Sequence, residues 1–496
     1  MESLSQNKPL CLQDALVLPI SRYEALYGTL ESTLPEEMIK ILIDHKCGRW
    51  RQAFNRYQTI LEKFNFDTKV SLTEQTNLLN EETAQLVLFE LMFCMTNVVS
   101  SIHVDKSHYI EVLDHFSPAD RVMHGALYNL LLSLSIREGA HSAARQFASM
   151  ALYEYRAAKA PYLEGFIYVH LALLDIAEAR YDAAYDNNEK ALSLFQSVQD
   201  TAVELAQVYI IKAWLDYENK NILPEREELD AAKKAMLEGA FWGETFLMLA
   251  SVLLRSKIAM GLDSVLEVHA ELETVLRVRR MTNLLPAMQL MRDEYFALGS
   301  PSRINAVPAD LDEFHLLLLL PNVTTLCLNV ANPNLVDFVL PRMRALSALE
   351  RGQGALKNRQ FPIAADHLWT ALDLIDAHQM RGLLKAELAT FETFLAECRA
   401  RRRFVERARD VRNKLLIPLG KSETAAKHPH ELTATEYAVL QLLPNATSNK
   451  GMARDLSVSE ATIKFHLSNI YRKLGVNRRR AAIKAARARH WIGTYD

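Results

Sequence analysis

The chain has 496 residues, a length that predicts two to four domains or one long repeat array. Hydrophobic residues make up 49% and charged residues 24% of the chain, whereas glycine and proline, with 16 each, supply about half of their usual share. This composition predicts an all-α protein and argues against intrinsic disorder and against an all-β sandwich or barrel. The net charge of −3 is unevenly divided, because residues 421–496 carry +7 and residues 1–420 carry −10. We therefore expect the basic segment to bind a polyanion.

The five cysteines are scattered and include no C-x-x-C pair, so we expect neither a disulfide framework nor a structural zinc site. The first residues show no signal-peptide pattern, and the densest apolar run, residues 316–320, stops at Pro321. We expect a cytoplasmic protein with no membrane span. No paired carboxylates, Ser/His/Asp order or glycine-rich loop indicates catalysis. We expect no enzyme activity, no catalytic residues, no cofactor and no metal.

The first part of the chain contains a repeat. Residues 138–152 superpose without gaps on residues 178–192, at an offset of 40 residues. The matching positions are Ala143, Ala144, Ala151 and Leu152 in the first copy and Ala183, Ala184, Ala191 and Leu192 in the second, with looser copies at 48–61, 229–236 and 359–372. A period of about 40 residues predicts pairs of helices, in which small residues let antiparallel helices approach and large apolar residues fill the groove between them.

Residues 179–184 and 189–192 resemble the second helix of a tetratricopeptide repeat. The classical repeat has about 34 residues and usually has glycine where Ala179 stands. The resemblance implies a tetratricopeptide-like helical superhelix, an α-solenoid with a long concave groove. We place an N-terminal segment at residues 1–34 and the repeat array at residues 35–298.

Residues 299–341 contain five prolines, each incompatible with a helix interior, and we predict a Pro-rich break there. The break is either a hinge or cap, or an irregular insertion without function. Further helical repeats are predicted at residues 342–415. The aromatic residues Tyr209, Trp214, Phe241 and Trp242 belong to the core or, alternatively, line an effector pocket.

After a polar linker at residues 416–430, residues 431–496 read as short helices. Thr433 and Glu436 form a capping-box pattern that predicts a helix to about Leu443. Ser448 is placed to cap a second helix, and Ser459 to cap a third helix that runs to Leu474, before Gly475. This spacing predicts a helix-turn-helix, in which the third helix enters the major groove of DNA.

One face of the third helix is apolar and the other is rich in hydrogen-bond donors. The apolar face consists of Ile463, Leu467, Ile470 and Leu474, at i, i+4, i+7 and i+11, and should pack on the domain core. The opposite face carries Thr462, Lys464, Phe465, Ser468, Arg472 and Lys473. These residue types suit phosphates, base edges and the thymine methyl group.

The strings 448–450, 459–460, 462–464 and 472–476, together with His466, resemble the LuxR-type, or GerE-like, DNA-binding domain over its whole length. The resemblance implies a four-helix domain that binds double-stranded DNA as a homodimer, with the helix after Asn477 at the dimer contact. It places Lys464, Phe465 and Ser468 at base-facing positions. It places Asn449, Lys450, Thr462 and Arg472 near phosphates. His466 either contacts DNA as well or packs locally, and Lys473 completes the predicted DNA-binding set.

Two features depart from the family pattern. Gly451 stands where many members have glutamate, which removes the capping-box partner of Ser448. The run Arg478–Arg480 either adds phosphate contacts or repels a partner across the dimer.

A helical repeat body before this domain resembles the C-terminal half of MalT-like activators, whose NTPase region we do not find here. Residues 419–422 are the nearest string to a phosphate-binding loop, but they lack its first glycine. We read them and the pair His428 and His430 as polar linker rather than as ligand sites. The arginine-rich residues 399–412 are a solvated helix face or, alternatively, a contact with flanking DNA.

The sequence therefore predicts a DNA-binding transcriptional regulator, most simply an activator, whose repeat groove senses a small-molecule effector or a protein partner. The alternative is a repeat-protein adaptor that binds a protein partner and uses the basic tail as a non-specific tether to nucleic acid.

Overall fold

The structure, a computed structural model, describes only part of the chain. The described residues are 11–95, 106–220, 229–234, 242–257, 262–278, 284–297, 313–319 and 338–416, and, towards the C-terminus, 439, 440, 442, 443, 448–455, 463, 464, 467, 470, 471, 474, 476 and 478–488. Within these residues the regular elements are helices and no strand occurs, which confirms a helical protein. No helix in this part of the chain is long and apolar enough to cross a membrane.

The chain divides into two compact units, residues 1–390 and residues 391–496. The domain boundaries placed from the sequence stay predictions. The first unit opens with α1 (Leu12–Leu16), α2 (Tyr23–Tyr27), α3 (Leu34–Lys46), α4 (Trp50–Lys63), α5 (Leu86–Met95) and α6 (Lys106–Glu111), with 3₁₀ turns at Ile20–Arg22, Leu72–Leu78 and Val112–His115. Helix α3 begins at a capping box formed by Thr33 and Glu36, and it packs on α4.

Two helical hairpins follow at the offset that the sequence predicts. Helix α7 (Arg121–Arg137) packs on α8 (His141–Ala157), and α9 (Pro161–Ala177) packs on α10 (Tyr181–Gln196). The first helices of the two hairpins begin 40 residues apart, and so do the second helices. Four of the six alanines at the predicted matching positions, Ala144, Ala151, Ala184 and Ala191, are fully buried, whereas Ala143 and Ala183 are half-buried.

A glycine packed against an aromatic ring recurs in both hairpins. A Cβ atom added to Gly125 would lie 2.3 Å from the ring of Tyr155, and one added to Gly165 would lie 2.6 Å from the ring of Phe195. Both rings are buried. The missing side chain lets the two helices of each hairpin approach more closely than alanine would allow.

The turns between these helices share one backbone conformation. Gly139, Lys159 and Ala179 have φ of 71°, 54° and 54°. The residue after each of them donates its N–H to the carbonyl five residues earlier, in Ala140 to Ser135 at 2.8 Å, Ala160 to Tyr155 at 2.9 Å and Arg180 to Asp175 at 2.7 Å. This bond is the one that closes a Schellman motif. Ala179 thus adopts the left-handed conformation that explains the glycine usual at its position in the repeat.

The first unit continues through α11 (Ala202–Lys220), α12 (Gly243–Lys257), α13 (Leu262–Val278), α14 (Leu285–Ala297), α15 (Glu313–Leu318), α16 (Pro341–Lys357), α17 (Phe361–Ala377) and α18 (Arg381–Ala386), and α19 (Leu388–Ala400) follows. Helix α15 lies inside the predicted Pro-rich break, yet its residues are buried. The indole N–H of Trp214 and the hydroxyl of Ser251 both donate to the carbonyl of Leu318, at 3.0 and 2.8 Å. Helix α15 is therefore part of the core. Residues 319 and 338–341 are also described, and Val339 among them is exposed, while the rest of the break lies outside the described residues.

A buried ion pair joins α16 to α11. Arg342 donates through Nε and Nη2 to the two carboxylate oxygens of Glu218, at 2.5 and 2.9 Å. The two side chains are 0% and 2% exposed. Helix α18 also meets α11 here, because Gly382 lies directly against the backbone of Glu218: an added Cβ atom would lie 1.4 Å from its carbonyl oxygen.

Candidate nucleic-acid interface

The C-terminal segment builds its own small hydrophobic core. Ten buried residues form it, namely Val439, Leu440, Leu443, Met452, Ala453, Ile463, Leu467, Ile470, Leu474 and Ala482. Four of them are the predicted apolar face of the third helix, and each is at most 6% exposed. The helical spacing read from the sequence is thus confirmed for this face.

The second predicted helix is present as α20 (Asn449–Asp455). The hydroxyl oxygen of Ser448 accepts the N–H of Gly451 at 3.1 Å, and the Ser448 carbonyl accepts the N–H of Met452 at 3.2 Å. Ser448 therefore caps this helix as predicted. A Cβ atom at Gly451 would meet only Ser448 Oγ, at 3.6 Å, which is an ordinary contact. No steric reason in the described residues requires glycine there.

The third helix is described at six positions between Ile463 and Leu474, all of them helical. Lys464 follows the buried Ile463 and is exposed, as predicted for the donor-rich face. The N–H of Val476 donates to the carbonyl of Tyr471 at 2.9 Å, the bond expected if Gly475 terminates the helix. The other predicted residues of this face, Thr462, Phe465, His466, Ser468, Arg472 and Lys473, lie outside the described residues, as do Thr433, Glu436 and Ser459.

Two further predicted DNA contacts, Asn449 and Lys450, stand in the first turn of α20. Because helix N-termini offer unpaired backbone N–H groups, this end of α20 is chemically suited to a phosphate. Asn449 is half-buried.

The last helix, α21 (Arg479–Ala488), packs on the same core through Ala482 and Ile483. Arg479 donates through Nε and Nη2 to the carbonyl of Leu443, at 3.2 and 2.7 Å. Leu443 precedes Pro444 at the end of the first helix, where carbonyl groups lack helical partners. From the sequence we expected the run Arg478–Arg480 to contact DNA or a dimer partner, and we did not predict this hydrogen bond. The position of Leu443 before Pro444 does predict a carbonyl group without a helical hydrogen-bond partner, but nothing in the neighbouring sequence indicates which cation binds it.

Three further cations of the domain are exposed among the residues that the structure describes. Arg478 is exposed before α21, and Lys484 is exposed within it. With Lys464 on the third helix, they provide positive charge for a polyanion.

The arginines of residues 399–412 are exposed, from the end of α19 through the short helix Val405–Val411. Arg401 Nε donates to Glu397 Oε2 at 2.8 Å, an ion pair between side chains four residues apart. Such pairing favours the solvated-face interpretation over a DNA contact. The strings at 419–422 and 428–430 lie outside the described residues.

The aromatic candidates separate in the structure. Trp214 is fully buried and belongs to the core, whereas Tyr209 is 45% exposed and belongs to neither alternative. Trp242 lines a cavity of the first unit. Phe241 lies outside the described residues.

Comparison with known proteins covers the C-terminal part of the chain. Residues 430–486 match the family described as "Bacterial regulatory proteins, luxR family". Among curated proteins, the transcriptional regulatory protein DegU of Brevibacillus brevis is 37% identical over 75 residues, which are 15% of this chain and 32% of DegU. The chain thus matches about a third of the length of that relative. No solved structure matches the chain.

The matched range contains every residue of the small core, from Val439 to Ala482. It also contains the capped α20, the third helix with its buried apolar face, and most of α21. Residues 430–486 are a LuxR-type helix-turn-helix domain.

Proposed function

We propose that the protein is a sequence-specific DNA-binding transcriptional activator whose helical body controls the helix-turn-helix domain. The observation that carries this proposal is the LuxR-type domain, in which the third helix buries its apolar face and turns Lys464 outward. The similarity to DegU, named as a transcriptional regulatory protein, supports the proposal.

In the proposed complex the third helix lies in the major groove. Lys464, Phe465 and Ser468 face the bases, while Asn449, Lys450, Thr462 and Arg472 lie near phosphates, with Lys473 and His466 beside them. Lysine donates to guanine O6 and N7, and the backbone contacts fix the register of the helix. The positive charge of residues 421–496 supplies the non-specific part of the affinity.

The proposed active form on DNA is a homodimer, with α21 at the contact between subunits. A dimer reads two half-sites, so its affinity depends steeply on dimerisation. Arg479 holds α21 against the first helix of the domain and thereby fixes where a partner would dock.

The body is proposed to be a tetratricopeptide-like superhelix, similar to that of MalT-like activators, in a cytoplasmic protein without enzymatic activity. The 40-residue offset and the shared turns of α7–α10 support stacked hairpins. Its charge of −10 would repel DNA, so a function in sensing an effector or partner and gating the domain suits it better than DNA contact.

Selection of binding sites from random DNA by the full-length protein tests the proposal. A regulator should prefer its selected site over random DNA by about 10³ or more at physiological salt. Enrichment of no sequence, together with similar affinity for all duplexes, would favour the adaptor.

Two lysine variants test the docking. Lys464→Ala should relax discrimination at one base pair and weaken binding to the selected site by about 1–3 kcal/mol. Lys450→Ala should weaken binding to all sequences alike and lower the salt slope by about one. Lys69→Ala, an exposed lysine of the first unit, is the control and should change neither. Exchanged results for Lys464 and Lys450 would contradict this docking.

A further inference from the structure

The first unit contains a partly enclosed cavity of about 170 Å³. Residues from α1 to α5, α7 to α9, α12 and α15 line it, so it lies at the point where the first helices meet the repeat hairpins. Since a cavity of about 150 Å³ is large enough to bind benzene, this one has room for a single aromatic ring with a small substituent.

Aromatic side chains form much of the wall. The ring centroids of Phe166 and Trp242 are 5.4 Å apart, and those of His170 and Trp242 are 6.0 Å apart with nearly parallel planes. Trp50 and Phe89 also line the cavity. Such walls favour a flat aromatic ligand, which can stack on or meet the edges of the rings.

A lysine ammonium faces this aromatic space. Lys46, the last residue of α3, lines the cavity with its Nζ 5.8 Å from the centroid of the Phe166 ring. Within the described residues Lys46 has no salt bridge. The nearby carboxylate of Glu204 favours the charged form of Lys46. Its Oε1 accepts the hydroxyl of Tyr162 and the N–H of Ile20, at 2.7 and 3.0 Å, and its buried Oε2 has no hydrogen-bond partner, but the two groups do not form an ion pair. The ammonium is therefore available to an anion in the cavity.

The charged side chains of the wall are two cations and one carboxylate, and the carboxylate of Glu204 lies near Lys46. Arg137 is a second cation on the wall, and Glu244 is its carboxylate. Burial lowers the pKa of His45 to about 3 and that of His170 to about 4, so both imidazoles are neutral near pH 7. His170 Nδ1 is 2.7 Å from Asn129 Oδ1, which fixes the orientation of its ring.

We infer that this cavity binds an aromatic monocarboxylate of about one ring, with the ring among Phe166, His170 and Trp242 and the carboxylate at Lys46. The prediction that such a ligand binds depends only on the cavity, whereas a role for the ligand as the effector of a regulator rests on the proposed function.

Three ligands of nearly one shape and different charge test the inference on the full-length protein. Benzoate is anionic, benzamide is neutral and benzamidine is cationic. Binding is measured by titration calorimetry and by the fluorescence of the tryptophans, without DNA. Benzoate should bind about ten-fold or more tightly than benzamide, and benzamidine most weakly, because only the carboxylate pairs with Lys46. Benzamidine binding best, or none of the three binding, would overturn the inference.

Protein variants then locate the site. Lys46→Met should remove the preference for benzoate over benzamide, and Lys46→Arg should retain it. Lys63→Met, at an exposed lysine outside the cavity, should change neither affinity. Leu130→Trp, which fills the cavity, should abolish binding of both ligands. An unchanged preference in a folded Lys46→Met protein, or unchanged binding in folded Leu130→Trp, would refute this placement.

These outcomes are independent of the proposed function. If benzoate binds as expected but site selection enriches no DNA sequence, the ligand site is supported and the regulator proposal fails. If a DNA site is selected but none of the three ligands binds, the regulator proposal is supported and the ligand site is refuted.

Discussion

Replacing Gly382 with alanine should loosen the body where α18 meets α11. The added Cβ atom would lie 1.4 Å from the carbonyl oxygen and 2.5 Å from the carbonyl carbon of Glu218. Carbon atoms in contact lie about 3.5–4.0 Å apart, so the carbonyl carbon alone requires the two backbones to separate by about 1–1.5 Å, and the nearer carbonyl oxygen requires more. A backbone cannot rotate away as a flexible side chain can.

The separation also disturbs the ion pair between Glu218 and Arg342. Both side chains are buried, and breaking such a pair costs about 3–5 kcal/mol when one charge loses its partner. Overpacking alone costs about 1–3 kcal/mol. Since alanine favours a helix over glycine by about 1 kcal/mol, we expect the free energy of unfolding to fall by at least about 3 kcal/mol.

The matched control is Gly139→Ala. Gly139 has φ of 71°, and an added Cβ atom there would meet nothing within 4 Å. The substitution therefore adds only backbone strain, and the free energy of unfolding should fall by about 1–2 kcal/mol.

A protein with two compact units need not unfold in one step, so hydrogen exchange read by mass spectrometry is the suitable assay. In Gly382→Ala the protection factors of the amides in α11 and α18 should fall by a factor of about 10². In Gly139→Ala the protection factors should fall only about ten-fold, and the affected amides should centre on the turn between α7 and α8. Equal losses in the two variants, or a loss in Gly382→Ala that spares α11, would refute the reasoning.

Three further outcomes are expected. Arg479→Met should destabilise the helix-turn-helix domain by about 1.5–3 kcal/mol in hydrogen exchange, whereas Lys484→Met, on the same helix, should change little. Gly451→Ala should stabilise α20 by about 0.5–1 kcal/mol, since its Cβ atom fits without a clash; a loss of stability would contradict that fit. Burial lowers the pKa of Lys46 to about 8, so benzoate binding should be full below that pH and fall as the pH rises through it, while benzamide binding stays constant. Equal pH dependence for the two ligands would implicate other charged groups around the cavity, Glu204, Glu244 and Arg137.

Much of the domain core could be predicted from the sequence because helical spacing is a local signal. Ile463 and Ile470, seven residues apart, share a face in any helix, and both are buried as expected. The 40-residue offset can also be read from the sequence, and it correctly pairs residues 138–152 with residues 178–192, which form the equivalent helices α8 and α10. The capping of α20 by Ser448 follows from three neighbouring residues.

The cavity could not be predicted in this way. Lys46, Phe166 and Trp242 come from three segments more than 70 residues apart along the chain, and no periodicity relates them. The same holds for Arg479 and Leu443, whose hydrogen bond depends on how the last helix crosses the first. Prediction from sequence is limited even within a single helix. We assigned Trp214 and Tyr209 to the same group, but Trp214 is buried and Tyr209 is exposed.

The bond from Arg479 to Leu443 has a mechanical consequence for any control of this domain. It fastens the final helix to the end of the first helix, and both rest on the core that also holds the third helix. Reorienting the final helix would expose a carbonyl and a guanidinium together. We therefore expect a signal to change the accessibility of the domain to DNA as one rigid unit, without changing the shape of its DNA-binding surface.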